Sequence, residues 1–390
     1  MARALRVLLV LVAALVLLGG GYLGYAAVRA SRPVTLPTPA GPYAVGRTIA
    51  EWTDHTRDDP LAPRSGTPRR LSVWSWYPTT VSAGSNPAPY TPGPWAGLHL
   101  GAPMGWGETS FDEVRTHSTA DAPAAAGRFP VIVLEPGLGF AAPQYTAFAE
   151  SLAGRGYLVL GVTPTYSANL TVLDGAAVPA TEAGNPPVFD AGDLHQGAAQ
   201  AAGDRLVDVW AADARFAASQ AAASPLADPA TTVYIGHSLG GAAALEACHS
   251  DPHCAGAADL DGTQYGAVVH SGLTKPVLLF GSENSCVTGM CLPAAPADRA
   301  DQETARTMLA ASSGPAWRYR IRGTEHFDFS DYNAYYLAAP IRSALALGDI
   351  AGSEALTIVD AYLGAFADHV TRGEPEPLLT GPPPYPEVER

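Results

Sequence analysis

The stretch Thr232-Val233-Tyr234-Ile235-Gly236-His237-Ser238-Leu239-Gly240-Gly241-Ala242-Ala243-Ala244-Leu245 constrains this chain more than any other. A β-branched apolar run reads as a buried strand and an alanine-rich run as a helix, with Gly-His-Ser-Leu-Gly between them. A strand that passes straight into a helix must turn sharply. The glycines two before and two after Ser238 remove side chains that would meet the neighbouring strand or helix. Such a turn lifts a serine hydroxyl clear of a sheet, which is the setting in which G-x-S-x-G marks a nucleophile. A glycine-rich turn that merely contains serine is the bland alternative, and the flanking strand and helix weigh against it. The rest of the chain must then supply a base, a carboxylate and an oxyanion site.

Residues 1–30 read as a membrane segment. Arg3 and Arg6 precede an apolar run over residues 7–28, with Arg29 and Arg32 behind it. At about 1.5 Å per helical residue the run reaches about 33 Å, enough to cross a bilayer. A cleaved signal peptide with its apolar core at 7–18 is the rival. Gly19-Gly20-Gly21 suits that rival, but no small-x-small cleavage site follows. Either reading exports the remainder. An uncleaved anchor with the catalytic part outside is favoured over secretion. The net charge of −14 argues against a nucleic-acid partner. Four cysteines fall in two close pairs, Cys248 with Cys254 and Cys286 with Cys291. Cys248-His249 and His253-Cys254 also offer zinc-type ligands around one turn. The Asp251-Pro252 turn and an oxidising compartment favour two local disulfides and no metal.

Residues 31–70, rich in Pro, Thr, Arg and Asp, read as a spacer and N-terminal wrap. Strands are expected at 71–77, 131–134, 157–162, 255–260, 276–281 and 317–321, besides the one before Ser238. Helices are expected at 144–153, 204–222, 330–346 and 353–369, besides the one after Ser238. In the second of these, Val207, Trp210, Ala214 and Ala217 share a face. Asp174-Gly175 marks a hairpin turn. Residues 79–127 are irregular, and Trp95 and Trp106 suggest packing over the body. Residues 372–390 form a Pro-rich tail that reads as loose. Strands alternating with helices give an α/β class, a mostly parallel sheet with helices on both faces, in one catalytic domain over 71–371.

For the base, His249 and His253 sit too close to the Ser238 helix, His270 lacks a distinguishing context, and His369 falls on a solvated helix face. His326 lies in Arg322-Gly323-Thr324-Glu325-His326-Phe327-Asp328-Phe329, on a loop between the last strand and a helix, where it can reach over a nucleophile. Three carboxylates compete for the acid. Asp261 follows one strand as Leu260-Asp261-Gly262, Glu283 follows the next, and Asp259 lies two residues before Asp261. The residues alone rank Asp261 only slightly ahead of Glu283. For the oxyanion, the N–H of Leu239 and a donor from Gly137-Leu138-Gly139, taken as Leu138, are the candidates.

These pieces resemble the platelet-activating factor acetylhydrolases of plasma type, in a bacterial form, a branch of the α/β-hydrolases. Gly41-Pro42-Tyr43-Ala44-Val45-Gly46 with Trp76-Tyr77-Pro78 is similar to that family's entry strands. Pro136-Gly137-Leu138-Gly139 resembles its oxyanion loop, Gly236-His237-Ser238-Leu239-Gly240-Gly241 its nucleophile turn, and Ala258-Asp259-Leu260-Asp261-Gly262 its acid loop. The resemblance spans about residues 41–330, discontinuously. It implies an α/β-hydrolase fold and the acid on the earlier strand, hence Asp261. Ser285 stands where other branches carry Asp, which agrees. Pro136 departs from the histidine often found before Gly-Leu-Gly.

The expectation is therefore a serine carboxylic ester hydrolase with Ser238, His326 and Asp261 as its triad, needing no cofactor. The resemblance implies short-chain acyl esters or phospholipids as substrates. A broad lipase or polyester hydrolase, and an exported non-catalytic binding protein on the same fold, are the alternatives.

Overall fold

Apolar runs that bury both faces of a strand form the centre of the molecule. The computed structural model describes residues 2–82, 84, 86–100, 104–191 and 197–390. Among these residues ten strands make one sheet: β1 (Ala44–Asp58), β2 (Pro68–Thr79), β3 (Ser118–Ala120), β4 (Phe129–Glu135), β5 (Leu158–Thr163), β6 (Ala227–His237), β7 (Cys254–Leu260), β8 (Val277–Gly281), β9 (Ala316–Ile321) and β10 (Val388–Glu389). Their order is β10-β9-β8-β7-β6-β4-β5-β2-β1-β3. From β9 to β5 every pairing is parallel. The connections between these strands carry the helices, as parallel crossovers require.

Val131 and Val133 of β4 face one layer and Ile132 and Leu134 the other, so successive side chains enter different cores. One layer holds α2 (Thr146–Gly154) and α6 (Glu354–Arg372). The opposite layer holds α3 (Gly197–Ala222), α4 (Leu239–Ser250) and α5 (Pro296–Ala311). Val207, Trp210, Ala214 and Ala217 are all buried on α3. A further helix, α1 (Ala2–Ala30) in chain order, stands with most of its apolar residues exposed. The hairpin Leu170–Leu173/Ala176–Pro179 turns at Asp174 and Gly175, both with positive φ. Both cysteine pairs form disulfides, Cys248–Cys254 and Cys286–Cys291.

Three expectations are corrected. Residues 31–70 are no mere spacer, because β1 runs through them and pairs with β2 along its length. Its Arg, Thr, Glu and Asp side chains disguise the strand. Arg47, for instance, is buried with its guanidinium 4.7 Å from the Trp74 ring, and it donates to the Pro89 carbonyl. The tail is not loose either. β10 closes the sheet edge at β9, with Val388 buried and Glu389 paired to Arg320. Finally, 330–346 is not one helix. Only Asp331–Asn333 and Ala339–Ala344 are helical turns. The Asp331 carboxylate there accepts the N–H groups of Thr146 and Ala147 at the start of α2, and Tyr90 Oη donates to it. Tertiary hydrogen bonds outweigh local helix propensity in this segment. Trp95 is buried edge-on against Trp74.

Candidate active site

The strand-to-helix turn between β6 and α4 holds Ser238 at φ 58° and ψ −127°, a strained conformation for a residue with a side chain. A Cβ on Gly236 would lie 2.0 Å from the Gly240 carbonyl oxygen, and one on Gly240 would lie 2.3 Å from that of Pro136. The turn is thus pressed between its own helix and the loop after β4. No larger residue fits either place.

Asp261 begins the loop after β7, and it too has a positive φ, 58°. That kink separates it from Asp259, which stays in the strand. Asp261 Oδ1 accepts the Ser282 N–H at 2.8 Å and Oδ2 faces His326 Nδ1 at 2.8 Å. Burial alone would raise the Asp261 pKa. The hydrogen bond and charge of His326, with the Ser282 N–H and Ser285 hydroxyl, outweigh it and hold the carboxylate below its ordinary range. His326 opens a 3-10 turn after β9, and its Nε2 stands 2.9 Å from Ser238 Oγ. Asp328 fixes this loop by accepting the N–H groups of Glu325 and Gly348.

The other candidates have different occupations. Asp259 accepts the Gly262 N–H and a Gln264 amide hydrogen, and burial pushes its pKa well above the ordinary range. It therefore braces the loop rather than facing His326. Glu283 accepts the Gly323 N–H at 2.6 Å. His249 donates to the Gly272 carbonyl and His369 to that of Glu374.

The structure also brings in two residues that the sequence did not single out for a role. His237 is fully buried, and burial, then the neighbouring His326, lowers its pKa to about 3, so it is neutral. Its Nε2 lies 2.9 Å from the His326 carbonyl oxygen, which only accepts; that nitrogen must carry the proton. Nδ1 is then an acceptor, and Tyr145 Oη donates to it at 2.7 Å. Tyr145 Oη in turn accepts the Gly137 N–H at 2.9 Å. One hydrogen-bonded bridge thus ties the loop after β4 to the histidine loop. His237 lay inside the turn motif; Tyr145 had no local signal.

A cavity of about 310 Å³ opens on Ser238, lined by Leu138, Phe140, Phe189, Leu239, Tyr265 and Phe327 among others. Gly137 N–H is engaged by Tyr145, whereas Leu138 N–H meets no acceptor among the described residues. Leu239 is the first residue of α4, where an N–H has no intrahelical acceptor. The arrangement can activate a hydroxyl, hold an imidazolium and offer two N–H donors to a developing oxyanion.

No protein-family model matches the sequence. A probable 1-alkyl-2-acetylglycerophosphocholine esterase of Arthroderma benhamiae is 26% identical over 389 residues, spanning 90% of this chain and 92% of that protein. The solved structure of a ferulic acid esterase from Streptomyces cinnamoneus superposes with a TM-score of 0.75 at 28% identity, covering 91% of this chain and 98% of that one. The fold is that of the α/β-hydrolases. The chain is a carboxylic ester hydrolase. Its two disulfides suit an oxidising, extracellular setting, and its N-terminal helix suits a signal or an anchor.

Proposed function

We propose that Ser238 is the nucleophile, His326 the general base and Asp261 the residue that orients and stabilises the imidazole. One observation carries the reading: the unbroken series Ser238 Oγ, His326 Nε2, His326 Nδ1, Asp261 Oδ2, with links of 2.9 and 2.8 Å, facing a largely apolar cavity. Oγ attacks the ester carbonyl carbon while its proton passes to Nε2. The carbonyl electrons move onto oxygen, which the Leu138 and Leu239 N–H groups receive; such a donor is worth about 3–4 kcal/mol in the transition state. Collapse expels the alcohol, which takes the proton from Nε2. Water then repeats the sequence on the acyl-enzyme. The low pKa of Asp261 keeps it anionic beside the imidazolium formed in each step.

The substrate class is short-chain acyl esters, including acetylated phospholipids of the kind named for the Arthroderma relative. The cavity, at the small end of ligand-site volumes, supports a short acyl group. A second reading, aromatic acyl esters, is favoured by the rings of Phe140, Phe189, Phe327 and Tyr265 on its wall and by the ferulic acid esterase likeness. Helix α1 holds the chain in the cell membrane with the catalytic domain outside.

The test is hydrolysis of p-nitrophenyl acetate, butyrate and octanoate, methyl ferulate and a 2-acetyl ether phospholipid. Ser238→Ala should abolish turnover of all of them, and full activity in that variant refutes the mechanism. Preference for acetyl and the phospholipid supports the first reading, and preference for ferulate the second. Equal rates through octanoate indicate a broad lipase or polyester hydrolase.

A further inference from the structure

The apolar N-terminal helix changes character part-way along its length. Up to about residue 21 its large side chains stand in solvent, with Leu15 and Leu18 among the most exposed. The apolar part of this stretch, residues 7–21, covers about 22 Å at 1.5 Å each, short of a hydrocarbon core of about 30 Å, so the bilayer thins locally and Arg3 and Arg6 extend to the far headgroups while Tyr22 meets the near ones. From Tyr22 onward one face of the same helix is built into the catalytic domain. Tyr22, Tyr25, Ala26, Arg29 and Ala30 follow the spacing of a single helical face. The Tyr22 ring meets Trp106 edge-on, and its hydroxyl accepts the Ala339 N–H at 2.9 Å. Tyr25 sits edge-on to Tyr336, and the Arg29 guanidinium lies 5.2 Å from that ring. Ala26 is fully buried, and the Ala30 carbonyl accepts the Ser110 N–H.

No slack follows the helix. Val34 and Thr35 pair with Val114 and Arg115, and Leu36 is buried with its N–H on the Arg115 carbonyl. A free tether would let the catalytic domain drift from the membrane; this junction fixes it. Tyr22, Tyr25, Trp106 and Tyr336 therefore gather where the bare helix emerges from the body. Tyrosine and tryptophan are the side chains that favour the headgroup level of a bilayer, with the ring apolar and the tip wet. Tyr336 also lies on the segment that continues from the His326 loop, so the aromatic cluster and the candidate base share one stretch of chain.

We propose that Tyr22, Tyr25, Trp106 and Tyr336 form a collar that seats the catalytic domain on the lipid surface, with residues 22–30 a permanent part of that domain. The proposal rests on the anchored reading above and adds the orientation of the domain. Its occupant is a phospholipid bilayer. The bare apolar helix rising from the collar calls for a bilayer, since none of the described residues covers it.

The test uses the full chain expressed in an exporting bacterium. Mass spectrometry of the mature protein should retain residues 1–30, and alkaline washing should leave it in the membrane pellet. All four cysteines are paired, so a single introduced thiol can carry a nitroxide. Trp106→Cys and Tyr336→Cys are compared with Ser65→Cys, on the exposed turn between β1 and β2, in phosphatidylcholine/phosphatidylglycerol vesicles. Oxygen accessibility relative to an aqueous nickel chelate should be about threefold or more higher at 106 and 336 than at 65, as for headgroup-level sites. Ala26→Arg, which cannot be accommodated in the buried contact, should abolish that difference while the chain stays in the pellet.

A mature chain cut near residue 30 overturns the anchored reading and the collar together. A retained helix with labels at 106 and 336 as aqueous as at 65 overturns the collar alone. Turnover of p-nitrophenyl acetate by the same preparations reports separately on the catalytic reading.

Discussion

Replacing Asp261 by asparagine should disable the base without moving it. Asp261 Oδ1 holds the Ser282 N–H and Oδ2 faces His326 Nδ1, each at 2.8 Å. Asparagine must keep its oxygen on the Ser282 N–H, because an NH2 group there would set donor against donor. Its NH2 then points at His326 Nδ1, which has to accept. The imidazole proton moves to Nε2, the nitrogen 2.9 Å from Ser238 Oγ. A neutral imidazole protonated there cannot take the hydroxyl proton. The wrong tautomer should lower kcat about ten-thousandfold, equivalent to about 5.5 kcal/mol of transition-state stabilisation. Glu283→Gln is the paired control. Its oxygen can still accept the Gly323 N–H, so kcat should stay within about twofold of the parent. The assay is the initial rate on p-nitrophenyl acetate at several pH values, with circular dichroism melting to show that both variants fold. A folded Asp261→Asn enzyme with near-normal kcat, or loss of activity in Glu283→Gln, refutes the tautomer argument and moves the acid to the later strand.

Tyr145→Phe leaves the buried Gly137 N–H and His237 Nδ1 unpaired, which should lower stability by about 2–3 kcal/mol. If the bridge also registers the two loops, kcat falls about tenfold with KM little changed; an unchanged kcat beside the stability loss makes it purely structural. Burial raises Glu108 to about 7, offset only in part by the Leu100 N–H it accepts. Because the folded pKa lies above the ordinary 4.5, the native chain holds the extra proton. Stability from this group is full below about 4.5 and is lost as pH rises through about 7. Between pH 5.5 and 8 it should contribute a loss of about 2 kcal/mol, and denaturant titrations of Glu108→Gln should lack that part of the slope. The disulfide Cys286–Cys291 closes the loop that begins at Ser282, the residue whose N–H holds Asp261. Replacing both cysteines by serine should reduce stability by about 2 kcal/mol and lower kcat more than KM; unaltered kinetics would separate that loop from the acid.

How far the sequence could be read follows from where each interaction lives along the chain. The turn at Ser238 was legible because its chemistry and geometry are contiguous: an apolar strand, two obligatory glycines and an alanine-rich helix in fourteen residues. The same holds for the buried parallel strands and for the Asp174-Gly175 turn. Only the start of β1 was legible, through the resemblance at Ala44-Val45-Gly46; further along, a strand near the sheet edge can place Arg47 and Arg57 in tertiary contacts, which dilutes the apolar alternation. The segment 330–346 failed for a related reason, its Asp331 being committed to α2 rather than to its own backbone.

The choice of acid shows the boundary most sharply. Asp261 and Glu283 both follow strand ends, and residue type favours neither strongly. What separates them is a positive φ at Asp261 that aims its carboxylate at His326, and a Gly323 N–H that occupies Glu283. Neither is a property of local sequence, so spacing left the two carboxylates nearly tied, and the resemblance alone pointed to the one that stands 2.8 Å from His326. The bridge through Tyr145 and His237 lies beyond both kinds of reading. Its partners are separated by 92 and 89 residues, and each link is one neutral hydrogen bond between ordinary side chains or backbone. Yet those links fix the tautomer of His237 and join the loop after β4 to the histidine loop, so the loops that carry the candidate donor Leu138 and the candidate base His326 are tied together by groups that announce no chemistry of their own.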